Sequence, residues 1–330
     1  MKKIHRLLAL FLTLALCAAL APMALAADAK AQYEKTAGYV MGQVPSPGYG
    51  SIGGDWAVLG LARGGANVKS GYFDGYYAKL ESYVKSCQGV LHKRRYTDYS
   101  RVVLAVTAIG KDARDVAGYN LLLPLGDFEK TVYQGVNGAI FALLALDAGG
   151  YEIPVNPEAK TQATRDGYVQ KILSAQLADG GWNMSGEKAD ADLTAMALQA
   201  LAGYTAQAAV QAAVDRGIAA LSSMQLTDGG FATGGAETCE SNAQVIVAMA
   251  ELGISPSDSR FTKGSSTVVD ALLAFSNTNG SFCHTMGGEA NEMATEQALY
   301  ALAALQQAAN GKTLYKMVQP AQDGRFRDIT

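Results

Sequence analysis

The sequence predicts an all-α fold, an (α/α)6 toroid in which six helical hairpins close into an alpha-alpha barrel. Apolar residues recur at helical spacing from Ala29 onward, in about twelve segments and with no convincing alternating strand. Every second segment is rich in Ala and Leu and nearly uncharged, whereas the segments between them carry the charges. A helix that is apolar all round must be buried, and one with a polar face can meet water. The alternation therefore predicts an inner ring and an outer ring.

Six of the twelve predicted helices belong to each ring. They lie near residues 29–43, 54–64, 73–88, 97–109, 119–132, 136–148, 163–176, 190–203, 207–224, 239–252, 266–276 and 292–308. The even-numbered helices are the predicted inner ring, because small Ala side chains let closely crossing helices approach. An open superhelical solenoid of the same hairpins is the alternative architecture, and ring closure is the prediction.

A repeated tract supports this architecture. Residues 176–182 read Gln-Leu-Ala-Asp-Gly-Gly-Trp, residues 225–231 read Gln-Leu-Thr-Asp-Gly-Gly-Phe, and residues 279–282 are a degraded copy. Each copy precedes an apolar helix, and self-similarity at a period of tens of residues indicates a repeat fold. We expect the Gln to satisfy backbone groups at the preceding helix end, and Trp182 or Phe231 to fill the space between hairpins. This interpretation is structural rather than functional.

The tract also carries a family resemblance. Gln176, Gly180 and Trp182 stand at the spacing of the Gln-Trp motif, so the tract resembles the repeats of the prenyltransferase and squalene-cyclase α/α-toroid superfamily. Residues 130–310 are similar to exported bacterial proteins that carry prenyltransferase/squalene-oxidase-type repeats, often beside transcobalamin-like modules. The resemblance implies the same toroid, but a fold does not by itself imply a reaction.

The first 26 residues have the pattern of a secretory signal peptide, with a basic start, an apolar stretch over 7–20 and small residues at 24 and 26. No later run offers the about 20 apolar residues that a membrane span needs. We therefore expect a signal peptide at 1–26, a toroid domain at 27–310 and a C-terminal tail at 311–330. The mature protein is expected to be a monomer, secreted or at the cell surface.

Charge narrows the classes of partner. Without Lys2, Lys3 and Arg6 the chain keeps 24 basic residues against 30 acidic ones, a formal charge of −6. Such a balance attracts neither nucleic acid nor an anionic membrane surface. The expected partner is a small molecule or a cell-surface ligand, and the sequence identifies no cofactor.

Residues 190–195, Asp-Ala-Asp-Leu-Thr-Ala, are the candidate catalytic segment. They resemble the Asp-x-Asp-Asp-Thr-Ala signature with which class II terpene cyclases protonate an alkene or epoxide, and the resemblance places the proton donor at Asp192, beside Asp190. This chemistry needs a carboxylic acid kept protonated in a dry pocket. Leu193 replaces one acidic member, and a second toroid is absent from the sequence. The alternative is that Asp190 or Asp192 caps the next helix, as Glu240 would assist the following one.

A metal site has weaker support. Residues 237–241 faintly resemble the Asp-x-Cys zinc ligands of protein prenyltransferases, but the inner helix that supplies a His in that family has none here. Cys239, Cys283 and His284 are weak candidates, and no metal is favoured. A Cys239–Cys283 disulfide and three buried thiols, with Cys87 the third, both fit the sequence.

Polar residues recur at the starts of the predicted inner helices, and in a closed toroid these starts gather around one mouth. The candidate ligand-binding residues are Trp56, Tyr99, Asn137, Asp192, Thr194, Asn242, Gln244 and Glu296. The alternative is that they only cap helices. From this rim we predict a non-catalytic binding module rather than an enzyme. Its ligand is a polymer end or a small molecule, and a corrinoid is one candidate. One alternative is a terpene-cyclase-like or prenyltransferase-like enzyme using Asp192; another is a scaffold that binds a partner through its outer face.

Overall fold

The computed structural model describes residue 25 and residues 27–317. Apart from Leu25, the predicted signal peptide lies outside these residues, and so does the end of the predicted tail. The described chain forms twelve α-helices: α1 (27–43), α2 (Trp56–Arg63), α3 (Tyr72–Ser86), α4 (Thr97–Ala108), α5 (Phe128–Thr131), α6 (Val136–Ala148), α7 (Arg165–Ser174), α8 (Ala191–Leu201), α9 (Ala208–Met224), α10 (Cys239–Glu251), α11 (Val268–Ala274) and α12 (Glu292–Ala309). None of them combines the length and apolar character that a membrane crossing requires.

The even-numbered helices form a closed inner ring. Contacts run from α2 to α4, α6, α8, α10 and α12, and α12 returns to contact α2. The toroid prediction is thus confirmed, and the open solenoid is wrong. Helix α6 shows the inner type, because nearly all of its residues are buried. Helix α3 shows the outer type: it buries Tyr76, Leu80 and Val84 at a spacing of four and turns its charges outward.

The predicted outer helix at 119–132 is largely wrong. Only Phe128–Thr131 is α-helical, between two 3-10 turns at Leu123–Gly126 and Val132–Gln134. Pro124 cannot donate a backbone hydrogen bond, and the side chain of Asp127 accepts one from the Lys130 N–H, which starts a new turn. These local bonds divide the segment into short pieces.

Two small hairpins add short strands to the predicted all-α fold. Strands β1 (Ala232–Thr233) and β2 (Ala236–Glu237) pair antiparallel, as do β3 (Thr262–Lys263) and β4 (Ser266–Thr267). Strands of two residues are too short to show the alternation by which a strand is recognised in a sequence.

The repeated Gln-Trp elements are structural, as predicted, but the glutamines bind different groups from those expected. Gln176 Nε2 donates to Gly180 O at 2.7 Å and to Ala213 O, in α9, at 2.8 Å. Gln225 Nε2 donates to Gly229 O at 2.8 Å and to Phe261 O at 2.9 Å. Each glutamine therefore joins its own turn to the next outer element, rather than to the preceding helix end.

Residues 313–317 pack against the barrel, although they fall in the predicted tail. Leu314, Tyr315 and Met317 are buried. Glu251 Oε1 accepts a hydrogen bond from Leu314 N at 2.7 Å, and Arg63 Nε donates to Leu314 O at 2.7 Å. The toroid unit therefore extends beyond residue 310.

Candidate active site at the mouth of the barrel

Three aromatic rings from different inner helices meet inside the ring. The Trp56 ring of α2 lies 6.0 Å from the Phe141 ring of α6 and 5.6 Å from the Tyr300 ring of α12, measured between centroids. Trp56 and Phe141 keep partial exposure, whereas most of the inner-helix residues below them are buried. Within the described residues, Trp56 and Phe141 therefore mark an accessible part of the lumen.

A polar network lies beside the aromatic rings. Gln244 Nε2 donates to Tyr300 Oη at 2.6 Å and to Gln297 Oε1 at 2.9 Å. Gln199 Nε2 in turn donates to Gln244 Oε1 at 3.0 Å. These bonds fix Gln244 and the Tyr300 hydroxyl in one orientation.

Rim residues stand one helical turn above several of these groups. Asn137 precedes Phe141 by four residues, Asp192 precedes Met196, and Glu296 precedes Tyr300, and residues four apart share a helix face. We call the resulting surface the central pit; its residues are Trp56, Asn137, Phe141, Asp192, Met196, Gln244, Glu296, Gln297 and Tyr300. The rim pattern predicts five of them. The four that it misses are Phe141, Met196, Gln297 and Tyr300, and continuing three of the rim positions by one turn would have found all but Gln297.

Among the carboxyl groups of the pit, Glu296 has the pKa that is shifted most. It is 3% exposed, its Oε1 accepts a hydrogen bond from Gly53 N at 2.7 Å, and its Oε2 is buried without a partner among the described residues. Burial raises the pKa of Glu296 to about 8, and the Gly53 N–H only partly opposes this. At neutral pH Glu296 is therefore mostly a neutral carboxylic acid.

Asp190 and Asp192 have different environments. Asp190 is the N-cap of α8, where its Oδ1 accepts from Leu193 N at 2.7 Å, so the capping alternative is confirmed for this residue. Asp192 is partly exposed, and its Oδ1 accepts from Thr233 Oγ1, on β1, at 3.2 Å. Asp190 is thus engaged as a cap, whereas Asp192 keeps partial exposure beside β1.

Thr194, Asn242 and Tyr99 are buried and do not line the pit, in contrast to the predicted rim. Thr194 Oγ1 accepts from Trp182 N at 2.9 Å, and Asn242 Oδ1 accepts from Phe231 N at 2.7 Å. Both side chains hold the turn of a Gln-Trp element and are fully covered. Tyr99 packs its ring 5.4 Å from that of Tyr96.

A buried ion cluster supports the rim from outside the pit. Arg101 Nε lies 2.7 Å from Asp55 Oδ2, and Arg101 Nη1 lies 3.0 Å from Asp98 Oδ1. The Tyr76 hydroxyl donates to Asp55 Oδ1 at 2.6 Å. Burial raises the pKa of Asp55 to about 6 in spite of Arg101. Because its groups bind one another, this cluster is a fixed part of the wall.

Comparison with known proteins places the fold. The family model described as the prenyltransferase alpha-alpha toroid domain matches residues 126–321, more than half of the chain. The chain belongs to the prenyltransferase alpha-alpha toroid family. A comparison with curated protein sequences gives no match.

Solved structures share the toroid at low identity. The type II terpene cyclase MstE from Scytonema aligns with a TM-score of 0.52 and 13% identity, over 86% of this chain and 99% of that one. A polysaccharide lyase aligns with a TM-score of 0.54 and 14% identity, over 86% and 98% of the two chains. A glycosidase aligns at 0.50 and 12%, over 84% and 98%. At these identities the likeness establishes the fold of this prenyltransferase toroid.

The cysteines of this toroid are free thiols, and the described residues include no group of three or more His, Cys, Asp and Glu able to hold a metal ion. Cys239 Sγ contacts Ala294 O at 3.6 Å, and Cys283 Sγ contacts Phe275 O at 3.2 Å. Burial raises the pKa of Cys239 well above its ordinary value, which disfavours the thiolate that binds zinc. His284 Nδ1 instead pairs with Glu240 Oε2 at 2.8 Å. Thr238 is the N-cap of α10, and Glu240 lies in its first turn, where an acidic residue favours the helix.

Proposed function

We propose that this toroid is an enzyme of the terpene-cyclase type, in which Glu296 protonates an alkene of an isoprenoid at the central pit. The observation that carries the proposal is a buried, neutral carboxylic acid one helical turn above three converging aromatic rings. The toroid fold shared with a type II terpene cyclase supports the same class of enzyme.

The surroundings of Glu296 suit a general acid. The Gly53 N–H occupies Oε1, so the proton of the neutral acid resides on Oε2, which has no partner among the described residues. No described residue accepts a hydrogen bond from this Oε2–H, so no protein group competes with a substrate for its proton. A carboxyl whose pKa is raised towards the operating pH stays protonated until substrate arrives.

The aromatic rings suit the cation that protonation creates. The Oε2–H bond breaks as the proton bonds to the less substituted alkene carbon, and the more substituted carbon becomes cationic. The faces of Trp56, Phe141 and Tyr300 attract such a cation. A second double bond of the same chain then attacks it and forms a ring. Return of a proton from a neighbouring carbon to the Glu296 carboxylate gives a cyclic alkene and restores the acid.

A single toroid is sufficient for this proposal. If terpene cyclisation required two toroids, a chain with one toroid could not be such an enzyme. The alignment with the type II terpene cyclase MstE, however, covers 86% of this chain and 99% of MstE. The pit is shallow, because the inner ring is packed below Trp56 and Phe141. We therefore propose that the end of an isoprenoid chain enters the pit while the rest remains at the mouth.

Glu296 and Asp192 are competing candidates for the acid. The Asp-x-Asp resemblance favours Asp192, whereas burial and the unpartnered oxygen favour Glu296. We expect Glu296→Gln to lower turnover by about 10²-fold or more, the usual contribution of a general acid. Asp192→Asn should have a smaller effect, since Asp192 is partly exposed and bound by Thr233. Wild-type turnover should fall as pH rises through about 8, the pKa of Glu296.

The measurement is product formation from geranylgeraniol, geranylgeranyl diphosphate and geranylgeranyl dihydroxybenzoate, the last being the substrate bound to MstE. Glu187→Gln, on an exposed loop, is the control for loss of a carboxyl elsewhere. Equal activity of Glu296→Gln and wild type would refute the role of Glu296. Loss of activity in Asp192→Asn alone would assign the acid to Asp192.

The binding module for a corrinoid or a polymer end stays a prediction, as does export of the mature chain. The buried, unpartnered Oδ1 of Asn137 is a polar group that a bound ligand would satisfy. Stabilisation of the protein by a corrinoid or a glycan, without turnover of any isoprenoid, would favour this alternative. Fractionation of the producing cells tests export directly.

A further inference from the structure

The outer ring leaves part of the inner ring uncovered. Helix α11 has 7 residues and α12 has 18, so at 1.5 Å per residue they extend about 10 Å and about 27 Å. Helix α11 packs mainly against α10 rather than α12. A gap remains between α11 and α12, lined by Val269 of α11, Leu305 of α12 and Ala29 of α1. The gap lies at the C-terminal ends of α10 and α12, the end of the barrel opposite the central pit.

A cavity of about 560 Å³ occupies this gap. This volume is in the range of small-molecule sites. Its walls are mainly apolar, and include Ala29, Ala250, Ile254, Val269, Leu305 and Ala308. Leu25 stands at one edge and falls within the predicted signal peptide, so the other wall residues define the cavity of the mature chain. An apolar cavity of this volume suits a flexible hydrocarbon chain, which loses water on entering it.

Polar groups mark one end of the cavity. A second cavity of about 340 Å³ adjoins the first, and the two share Lys30 and Gln306. Gln306 Nε2 is buried and has no hydrogen-bond partner among the described residues. Glu34 lies on the next turn of α1 and lines only the second cavity. The junction therefore presents an unused amide donor and an ammonium group to a ligand.

We propose that the groove between α1, α11 and α12 binds a long-chain fatty acid. The hydrocarbon chain lies in the larger cavity, and the carboxylate accepts a hydrogen bond from Gln306 Nε2 with Lys30 as its counter-ion. A carboxylate satisfies both groups at once, whereas a neutral alcohol leaves the charge of Lys30 unmatched. The site is separate from Glu296 and does not depend on the proposed reaction.

The test is titration calorimetry of the purified chain with laurate, kept below its micelle concentration. We expect one equivalent to bind to the wild type. Ala308→Trp fills the cavity from its partly exposed wall and should abolish binding. Val155→Trp adds the same ring at a position 81% exposed and far along the chain from the groove, and should bind as the wild type does. Gln306→Leu keeps the size of the side chain and should weaken binding about tenfold.

Two results would overturn the proposal: no binding of laurate to the wild type, or binding that Ala308→Trp leaves unchanged. If Ala308→Trp does not fold, Ala309→Trp at the exposed edge of the same cavity replaces it, with the same expectation. Dodecanol has a hydrocarbon chain like that of laurate but no carboxylate. Its affinity therefore separates the contribution of the hydrocarbon chain from that of the carboxylate. Equal affinity for dodecanol and laurate would refute the role of Gln306 and Lys30.

Discussion

At the scale of single residues, different side chains form the same hydrogen bond in successive repeats, to the backbone N–H of the aromatic residue in each turn. Thr194, Asn242 and Thr295 occupy equivalent positions of successive inner helices, and their side-chain oxygens accept the N–H of Trp182, Phe231 and Phe282 at 2.9, 2.7 and 2.9 Å. The repeat in the sequence reveals the equivalence of these positions. It does not reveal that they are covered, because the covering turn belongs to a different part of each repeat. Thr194 and Asn242 are consequently mistaken for rim residues when the sequence alone is read.

Gln225 tests the role of the Gln-Trp element. Its Nε2 satisfies the carbonyls of Gly229 and Phe261, and the residue is buried. Gln225→Leu leaves both carbonyls without this donor, so we expect the free energy of unfolding to fall by about 1–3 kcal/mol in urea denaturation. Gln211→Leu, on the exposed face of α9, is the matched control and should change it by less than about 0.5 kcal/mol. Equal effects of the two changes would contradict the structural role of Gln225.

At the scale of elements, helices with a clear apolar pattern are predictable and elements set by local side-chain bonds are not. The buried spacing of Tyr76, Leu80 and Val84 on α3 is visible in the sequence. The break within 119–132 depends instead on Pro124 and the Asp127 cap, which outweigh the apolar residues of the same segment. The distance between two packed helices also depends on both helices together, so one segment of sequence does not predict it. Gly60 of α2 is an example.

Gly60 lies where α2 meets α12 and closes the ring. A Cβ atom at Gly60 would lie 2.9 Å from Leu299 Cδ2 and 3.3 Å from Tyr300 N, whereas a Cβ at Gly75 of α3 would meet nothing within 4 Å. Ala is favoured over Gly in a helix by up to about 1 kcal/mol. We expect Gly75→Ala to stabilise the protein, and Gly60→Ala to destabilise it by about 1–3 kcal/mol through overpacking. Thermal unfolding shows whether each variant is more or less stable than the wild type. Stabilisation by Gly60→Ala would contradict a close contact between α2 and α12 at this position.

At the scale of the whole molecule, ring closure follows from the sequence but the chemistry of the pit does not. Alternation of apolar and amphipathic helices is enough to predict an inner ring, and its polar starts predict a mouth. The protonation of Glu296 depends on burial against a segment that contains Gly53, 243 residues away along the chain. Burial of that kind arises only when α12 meets α2. The sequence pattern therefore places Glu296 at the mouth without distinguishing it from Asp192.

Ring closure also buries carboxyls, which makes stability depend on pH. Burial raises the pKa of Glu251 to about 7, of Glu296 to about 8 and of Asp55 to about 6. Each folded-state pKa exceeds the unfolded value, so between about pH 5 and 8 the folded protein holds more protons than the unfolded chain does. The free energy of unfolding therefore falls as pH rises through this range. For Glu251 the loss is up to about 3 kcal/mol by pH 8. Urea denaturation from pH 5 to 8 measures the slope.

The variant Glu251→Gln measures how much of the pH dependence of the free energy of unfolding comes from Glu251. Gln keeps an oxygen that accepts from Leu314 N and Tyr315 N, but it has no charge to desolvate. We therefore expect the variant to vary less with pH than the wild type and to be the more stable of the two at pH 8. At pH 5 the two should be similar, because the wild-type carboxyl is then neutral in the folded state. A wild-type stability that rises from pH 5 to 8 would contradict the raised pKa of Glu251.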